Sequence, residues 1–485
     1  MKSTIYTIIT LSLLMMSCQS DDDITASIQE GGNVFFNLES IEVDRTSSQP
    51  VMVELRYDGP KQDLDITVPF TISFPGENNA VENEDFLLPQ SDSFIIKRGQ
   101  AVTSVVLLQR VLNNPEANQN RSLTFTLQSS EGVTIGNSSS NGNSITITLN
   151  STTEIEEVDP NDPEDFIGDK KFAITVGTST LKIPYFSGRE DIRETDNNDI
   201  TRAIVVLHGS GRTAKKQYTR MLAAANLETN KLDSLLIVSP QFLEEEDIDN
   251  FVLDEEHLYW SGSGWRIGFT SQDEDSNPRP ERVSSYTVMD SIMVNLSKYP
   301  NLKKIVLTGH SAGGQFVNRY SATSPIADDL IADGIDISFV VNNPASYVYM
   351  NNTRKVLGTE NTFAVPTINC SGYNDYRYGL DDLPSYLRDI GGEDVIRDRL
   401  KQRKVAYLIG QNDNDPNFPN FDDSCEAVLQ GRDRFERAIN YFDHLNDFYG
   451  TSINDLQKIE VVPGAGHSSE DMYLSEVGRR NIFRN

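Results

Sequence analysis

Ser311 stands in "IVLTGHSAGGQ", Ile305 to Gln315, with a glycine two residues before it and another two residues after. An apolar run, Lys303 to Thr308, ends just upstream and reads as a short buried strand. Gln315 to Ser321 can continue as a helix, so Gly309 to Gly314 must turn the chain sharply between them. A serine at such a bend projects its hydroxyl, and side chains at Gly309 or Gly313 would collide across the turn. That hydroxyl attacks a carbonyl only if a base takes its proton. A neutral imidazole suits that task, and a carboxylate that fixes the imidazole tautomer completes the set. Candidates for both occur at equivalent places: Asp413 follows "KVAYLIGQN" and His467 follows "KIEVVPGAG". "HGSG", His208 to Gly211, follows "RAIVVL" in the same way. With 31 glycines in the chain, a serine in a plain tight turn is the competing reading of Ser311 alone.

The other candidates are weaker. Of the five histidines, His310 lies inside the bend, His208 opens the glycine turn, and His257 and His444 fall in an insertion and a helix. Asp415, in "GQNDNDP", rivals Asp413, with Asp443 and Asp471 more distant. No histidine and carboxylate spacing fits a zinc or calcium loop, so neither a metal nor another cofactor is expected.

These residues need strands to hold them. From Lys170 onward, "KFAITV", "TLKIPYF", "RAIVVLHG", "SLLIVSPQF", "KKIVLTGHS", "SFVVNNP", "KVAYLIG" and "KIEVVPG" alternate with helical segments near "KKQYTRMLAAANL", "YTVMDSIMVNLSKY" and "RDRFERAINYFDHLNDFY". Strands that are nearly all apolar imply a mostly parallel sheet covered on both faces, with sites at the C-terminal strand ends. From residues 33 to 150 the strand signals are instead short, alternating and separated by Gly, Asn, Pro and Ser clusters, which predicts an antiparallel β-sandwich. Residues 151 to 169, acidic and proline-containing, form the linker.

The 485 residues, 38% hydrophobic, suffice for two cores. A formal net charge of -30, from 72 acidic against 42 basic residues, excludes a nucleic-acid binder, which needs clustered Lys and Arg. "MKSTIYTIITLSLLMMSCQSDDD" carries Lys2 and an apolar run from Ile5 to Met16, too short for a permanent span and suited to an export signal.

Lys170 to Asn485 resembles an α/β-hydrolase of the esterase and lipase type, through "GHSAGG", "LIGQND" and "PGAGHSSE". The chain order Ser, Asp, His agrees with that arrangement. The resemblance implies Ser311 as nucleophile, His467 as base and Asp413, three residues after Gly410, as acid. It also implies an oxyanion loop at Gly209 to Gly211, where the N-H of Ala312 and one from Ser210 or Gly211 would face the developing charge. Losing one such donor costs about a hundred- to thousandfold in rate. "HGSG" departs from the triple-glycine form, which leaves the choice of amide open. "HGSGR", "SPQF", "NPASYVY" and "DDSCEAVLQGRDR" are similar to a secreted branch of that superfamily.

The N-terminal strands resemble a Calx-β-like domain through "AVENEDF", "FIIKRGQ" and "LTFTL". Its acidic calcium loop is reduced here to "LNNPEANQNRS", with one carboxylate, so a spacer or docking role is expected. "LMMSC" resembles a bacterial lipobox: residues 1 to 17 would be removed, Cys18 lipidated, and 18 to 32 would tether the protein to the outer membrane at the cell surface. A plain signal peptide is the alternative. Cys370, after the expected strand "FAVPTIN", and Cys425, at the start of the long helix, are then compatible with one disulfide or with two buried thiols.

Two insertions would cover the strand ends. Leu243 to Ser284 holds Trp260 and Trp265 in "YWSGSGW", and Ser346 to Lys404 holds Tyr373 in "SGYNDYRYGLDDLPSY". Aromatic rings with polar tips suit a sugar-bearing or aryl ester, and neither insertion has the long apolar surface of a triglyceride lipase. The expectation is a serine carboxylesterase acting on a small-molecule or polysaccharide-linked ester, with its oligomeric state open. A serine peptidase with the same triad and a non-catalytic glycan-binding surface lipoprotein are the alternatives.

Overall fold

The computed structural model describes residues 31–484 except 44, 46–49, 75–78, 113–119, 137–141, 151–157, 189–190, 229–231, 357, 360 and 420. The export signal, Cys18, nearly all of the tether and the first part of the linker lie outside the described residues. No helix among the described residues is long and apolar enough to cross a membrane.

Near the N-terminus, a four-stranded and a five-stranded sheet, mostly antiparallel, share one apolar core. Val51–Asp58 shows how: Val51, Val53, Leu55 and Tyr57 face inward while the residues between them face out, the period-two pattern of a half-covered sheet. The first strand begins at Gly32, one residue inside the expected tether. Asp85, from "AVENEDF", is fully buried and ion-paired with Arg45 at 2.6 Å and Arg121 at 2.9 Å, so its charge is already neutralised by the fold.

The remainder is built on one eight-stranded sheet. Its strands are β1 (Lys170–Val176), β2 (Ser179–Phe186), β3 (Arg202–Leu207), β4 (Leu235–Pro240), β5 (Lys304–His310), β6 (Asp336–Asn342), β7 (Lys404–Gly410) and β8 (Gln457–Val462), in the order β1-β2-β4-β3-β5-β6-β7-β8. The first two form an antiparallel hairpin at the edge, and β3 through β8 pair in parallel. The burial follows from position. In β3, Ala203, Val205 and Leu207 enter one core while Ile204 and Val206 enter the core on the opposite face, so every residue between must be apolar. Edge strand β1 alternates instead, with Phe172 and Ile174 inward.

Two local expectations need correction. "FAVPTIN" is not a strand beyond Phe363–Ala364, which pairs only with Arg354–Lys355, because Pro366 cannot donate to a ladder. Cys425 opens a separate short helix, Cys425–Val428, and the long helix Arg434–Tyr449 begins nine residues later, capped by Asp433. Residues 162–166, at the end of the expected linker, are ordered against the larger sheet region: Asp162 caps a helix Pro163–Phe166, Phe166 stacks on Phe251 at 4.8 Å, and Gln241 Nε2 donates to Phe166 O at 2.8 Å.

Cys370 and Cys425 are joined in a disulfide across 55 residues of chain. Closing a loop of that size removes about 4 kcal/mol of unfolded-state entropy in the chain-entropy account. It ties the second insertion to the segment that follows Asp413.

Candidate active site

The turn at Ser311 is tighter than its sequence predicts. Strand β5 runs to His310 and helix α1 (Ala312–Thr323) starts at Ala312, so a single residue, Ser311, makes the whole turn, at φ 58° and ψ −116°. Few side chains adopt that conformation without the surroundings imposing it, and here they do. A Cβ on Gly309 would lie 2.6 Å from Gly313 O, and one on Gly313 would lie 2.6 Å from the carbonyls of Leu207 and His208. Helix, elbow and strand β3 are therefore in backbone contact, which only glycine permits. Every residue of α1 is buried, so the helix that follows Ser311 is fixed from all sides.

The structure brings Ser311, His467 and Asp413 together. Ser311 Oγ lies 3.0 Å from His467 Nε2, and His467 Nδ1 lies 2.8 Å from Asp413 Oδ2. All three follow the C-terminal ends of parallel strands, β5, β8 and β7. Asp413 is 3% exposed, and its second oxygen faces Arg434 Nη1 at 3.4 Å. Asp415 is exposed instead and accepts from its own turn at Asn417 N. Asp443, on the long helix, pairs with Lys355, and Asp471 sits in the first turn of the short helix Ser469–Leu474.

The glycine turn lies against Ser311: a Cβ on Gly209 would be 3.8 Å from Ser311 Cβ. Arg212 N donates to Gly209 O at 3.1 Å, closing a four-residue turn whose central amides, Ser210 and Gly211, are not used by the turn itself. Ala312 is the first residue of α1, where an N-H has no acceptor inside the helix. His208 holds this loop. Its Nε2 accepts from Phe242 N at 2.9 Å, so its Nδ1 carries the proton and donates to Gly209 O at 2.8 Å.

Two residues that sequence reasoning missed complete the frame. Asn343, fully buried at φ 46°, accepts from Gly410 N at 2.9 Å and donates to Gly466 O at 3.0 Å, linking the ends of β6 and β7 to the loop bearing His467. Asparagine is enriched at positive φ, and "NNP" just past an apolar strand was the available signal. Arg434 is held between Phe418 and Phe421, at 5.0 and 4.9 Å from the ring centres, and Phe418 also meets the His467 ring edge-on. Arg434 ends the stretch "DDSCEAVLQGRDR", but nothing in that stretch gives its role, which comes from the return of the chain to Asp413.

The two tryptophans expected to line a pocket are corrected. Trp260 and Trp265 are both completely buried. Trp260 donates to Phe269 O at 3.1 Å, and Trp265 packs on His208 and Phe242 at 4.5 and 5.8 Å, so these rings anchor the first insertion and brace the glycine turn rather than face a ligand. Tyr373 is tied to its own loop, its hydroxyl donating to Asn352 O and its ring under Arg354. Among the described residues the one cluster of potential metal ligands is Cys370, Cys425 and Glu426, whose sulfurs are consumed by the disulfide.

Buried histidines give this part of the chain an acid sensitivity. Burial holds His208 down to about 4, with Arg212 adding to the effect and the Gly209 carbonyl opposing it. Burial, then Arg354, holds His444 down to about 3. Unfolded, both would titrate near 6.5, so below that pH the unfolded chain binds more protons and stability falls as pH falls toward 4. Each ring costs about 1.4 kcal/mol per pH unit across that window. The urea midpoint should therefore drop between pH 7 and pH 5, and His444→Gln should flatten the slope. An identical slope in the variant would rule His444 out as a contributor.

No protein-family model and no curated protein matches the chain. Solved structures similar to it include poly(aspartic acid) hydrolase-1 from Sphingomonas sp. KT-1, 21% identical over 65% of this chain and 99% of that one, with a TM-score of 0.41. The poly(3-hydroxybutyrate) depolymerase LpqC from Bordetella parapertussis is 20% identical over 63% of this chain and 84% of that one, TM-score 0.40. The Calx CBD2 domain is 12% identical over 26% of this chain and 90% of that domain, TM-score 0.21.

Proposed function

We propose that this chain is a serine hydrolase of the α/β-hydrolase type that cleaves a carboxylic ester. One observation carries the reading: the unbroken relay from Ser311 Oγ through His467 to the buried carboxylate of Asp413, at 3.0 and 2.8 Å. In this reading His467 Nε2 takes the serine proton as Oγ attacks the ester carbonyl. Asp413 keeps the Nδ1-H tautomer and balances the imidazolium. The negative charge on the carbonyl oxygen is met by the N-H of Ala312 and by one from Ser210 or Gly211. Collapse transfers the His467 proton to the departing alcohol and leaves an acyl-serine. Water, deprotonated by the same imidazole, then releases the acid.

The proposed setting is an exported lipoprotein, lipidated at Cys18 and carried on the outer membrane. The test is a panel of p-nitrophenyl esters of graded acyl length beside p-nitroanilides with the same acyl groups, together with labelling by a fluorophosphonate. Ester turnover well above amide turnover, with one label on Ser311, is the expected result. Comparable amide turnover would make the protein a peptidase, and no turnover with no labelling would leave a binding protein.

A further inference from the structure

The first insertion and the helix behind the nucleophile bring together three guanidinium groups that the ester chemistry does not use. Arg266 Nη1 donates to Gln315 Oε1 at 3.2 Å, and Gln315 stands one helical turn after Ser311, its N-H bonded to Ser311 O at 3.0 Å. Arg266 Nη2 donates to Gly262 O at 2.8 Å on the solvent side, and its Nε is buried with no partner among the described residues. Arg319, fully buried one turn further along α1, donates to Gln315 O, Ser346 Oγ and Arg377 O. Arg377, half-buried on the second insertion, donates to Tyr378 Oη at 2.8 Å.

The acceptors in these bonds are neutral. Among the described residues neither Arg266 nor Arg319 has a carboxylate within 4.0 Å, and Arg377 reaches only Asp422 at 3.8 Å. The nearby acids are engaged elsewhere. Glu244 pairs with Arg212 at 3.1 Å, and Asp422 accepts from Tyr378 Oη at 2.8 Å and Ser424 Oγ at 2.7 Å. Burial, then Arg377 and Arg319, hold Arg266 down to about 10, against the weaker opposing pull of Glu244 and Asp422. Gathering three guanidinium groups in a largely desolvated place with, among the described residues, one distant carboxylate contact between them is costly in a chain with 72 acidic residues.

From the position of this charge beside the nucleophile, we propose that Arg266 and Arg377 bind a carboxylate on the substrate itself, so that the ester cleaved carries a second, anionic group away from its scissile bond. Arg319 is the positioning residue, holding Arg377 through its carbonyl and Gln315 through its own. A guanidinium matches a carboxylate with two parallel N-H donors, which suits it better than a lysine to select this shape. The proposal rests on the serine-esterase reading above and narrows its substrate class.

The experiment uses matched pairs of esters: mono-p-nitrophenyl adipate against p-nitrophenyl hexanoate, and p-carboxyphenyl butyrate against phenyl butyrate. In at least one pair the carboxylate member should be preferred in kcat/KM by about 10- to 100-fold, the range expected of a hydrogen bond to a charged group. Arg266→Gln should collapse that preference toward unity, and Arg377→Gln should reduce it, with the change appearing in KM for the anionic member. No preference in either pair, or a preference that survives both substitutions, would overturn the carboxylate site and leave the esterase reading standing. Hydrolysis of both members by Ser311→Ala at wild-type rate would overturn the esterase reading instead.

Discussion

Replacing Ser311 with alanine is expected to lower ester turnover by on the order of a millionfold, the size of loss seen when the nucleophile of a serine triad is removed. The fold should survive. The Ser311 side chain's hydrogen bond is the one to His467 Nε2 at 3.0 Å, and the turn is enforced by the glycines around it rather than by the hydroxyl. Alanine meets the same backbone strain at φ 58° that serine already bears. The measurement is kcat on the best ester of the panel, with a thermal melt of the same preparation to show that the variant is folded. A folded variant within tenfold of the wild type would remove Ser311 from the chemistry and return it to the role of a turn residue.

Asp413→Asn should cost about ten-thousandfold in kcat, because an amide in that place favours the wrong imidazole tautomer. The surroundings sharpen the expectation. Arg434 Nη1, 3.4 Å from Oδ1, demands an acceptor, so the asparagine oxygen turns toward Arg434 and its NH2 group toward His467 Nδ1. The ring must then carry its proton on Nε2, where it can no longer receive one from Ser311. Asp415→Asn, two residues away, exposed and bonded within its own turn, should change kcat by less than about tenfold, as surface substitutions usually have small effects. Reversal of these two results would move the acid to Asp415.

Arg434 also shows what could not be read from the chain. Its importance depends on a contact with a residue 21 positions earlier, and no local pattern encodes it. Asn343 is similar: "NNP" signals a bend, but its bonds to Gly410 and Gly466 arise because β6, β7 and the loop after β8 end side by side. The tryptophans failed for a related reason. Aromatic residues flanked by glycine and serine resemble a flexible ligand-facing loop in sequence, yet Trp265 stacks against Phe242, and that face exists only once the strands have assembled.

The sequence by itself determined the local geometry: apolar runs of the right length for strands, a serine between glycines where the chain must reverse, and polar groups placed just past strand ends. These follow from periodicity and backbone sterics, which act over a few residues. Tertiary structure alone decided which of these groups meet. Ser311 and His467 are 156 residues apart, His467 and Asp413 are 54 apart, and they converge because the order β5-β6-β7-β8 sets parallel strand ends in one row. The same assembly decided that Trp260 and Trp265 are core and that, among the described residues, no carboxylate pairs directly with Arg266 or Arg319. Burial and charge pairing belong to the space between elements, and that space is defined only when the sheet has formed.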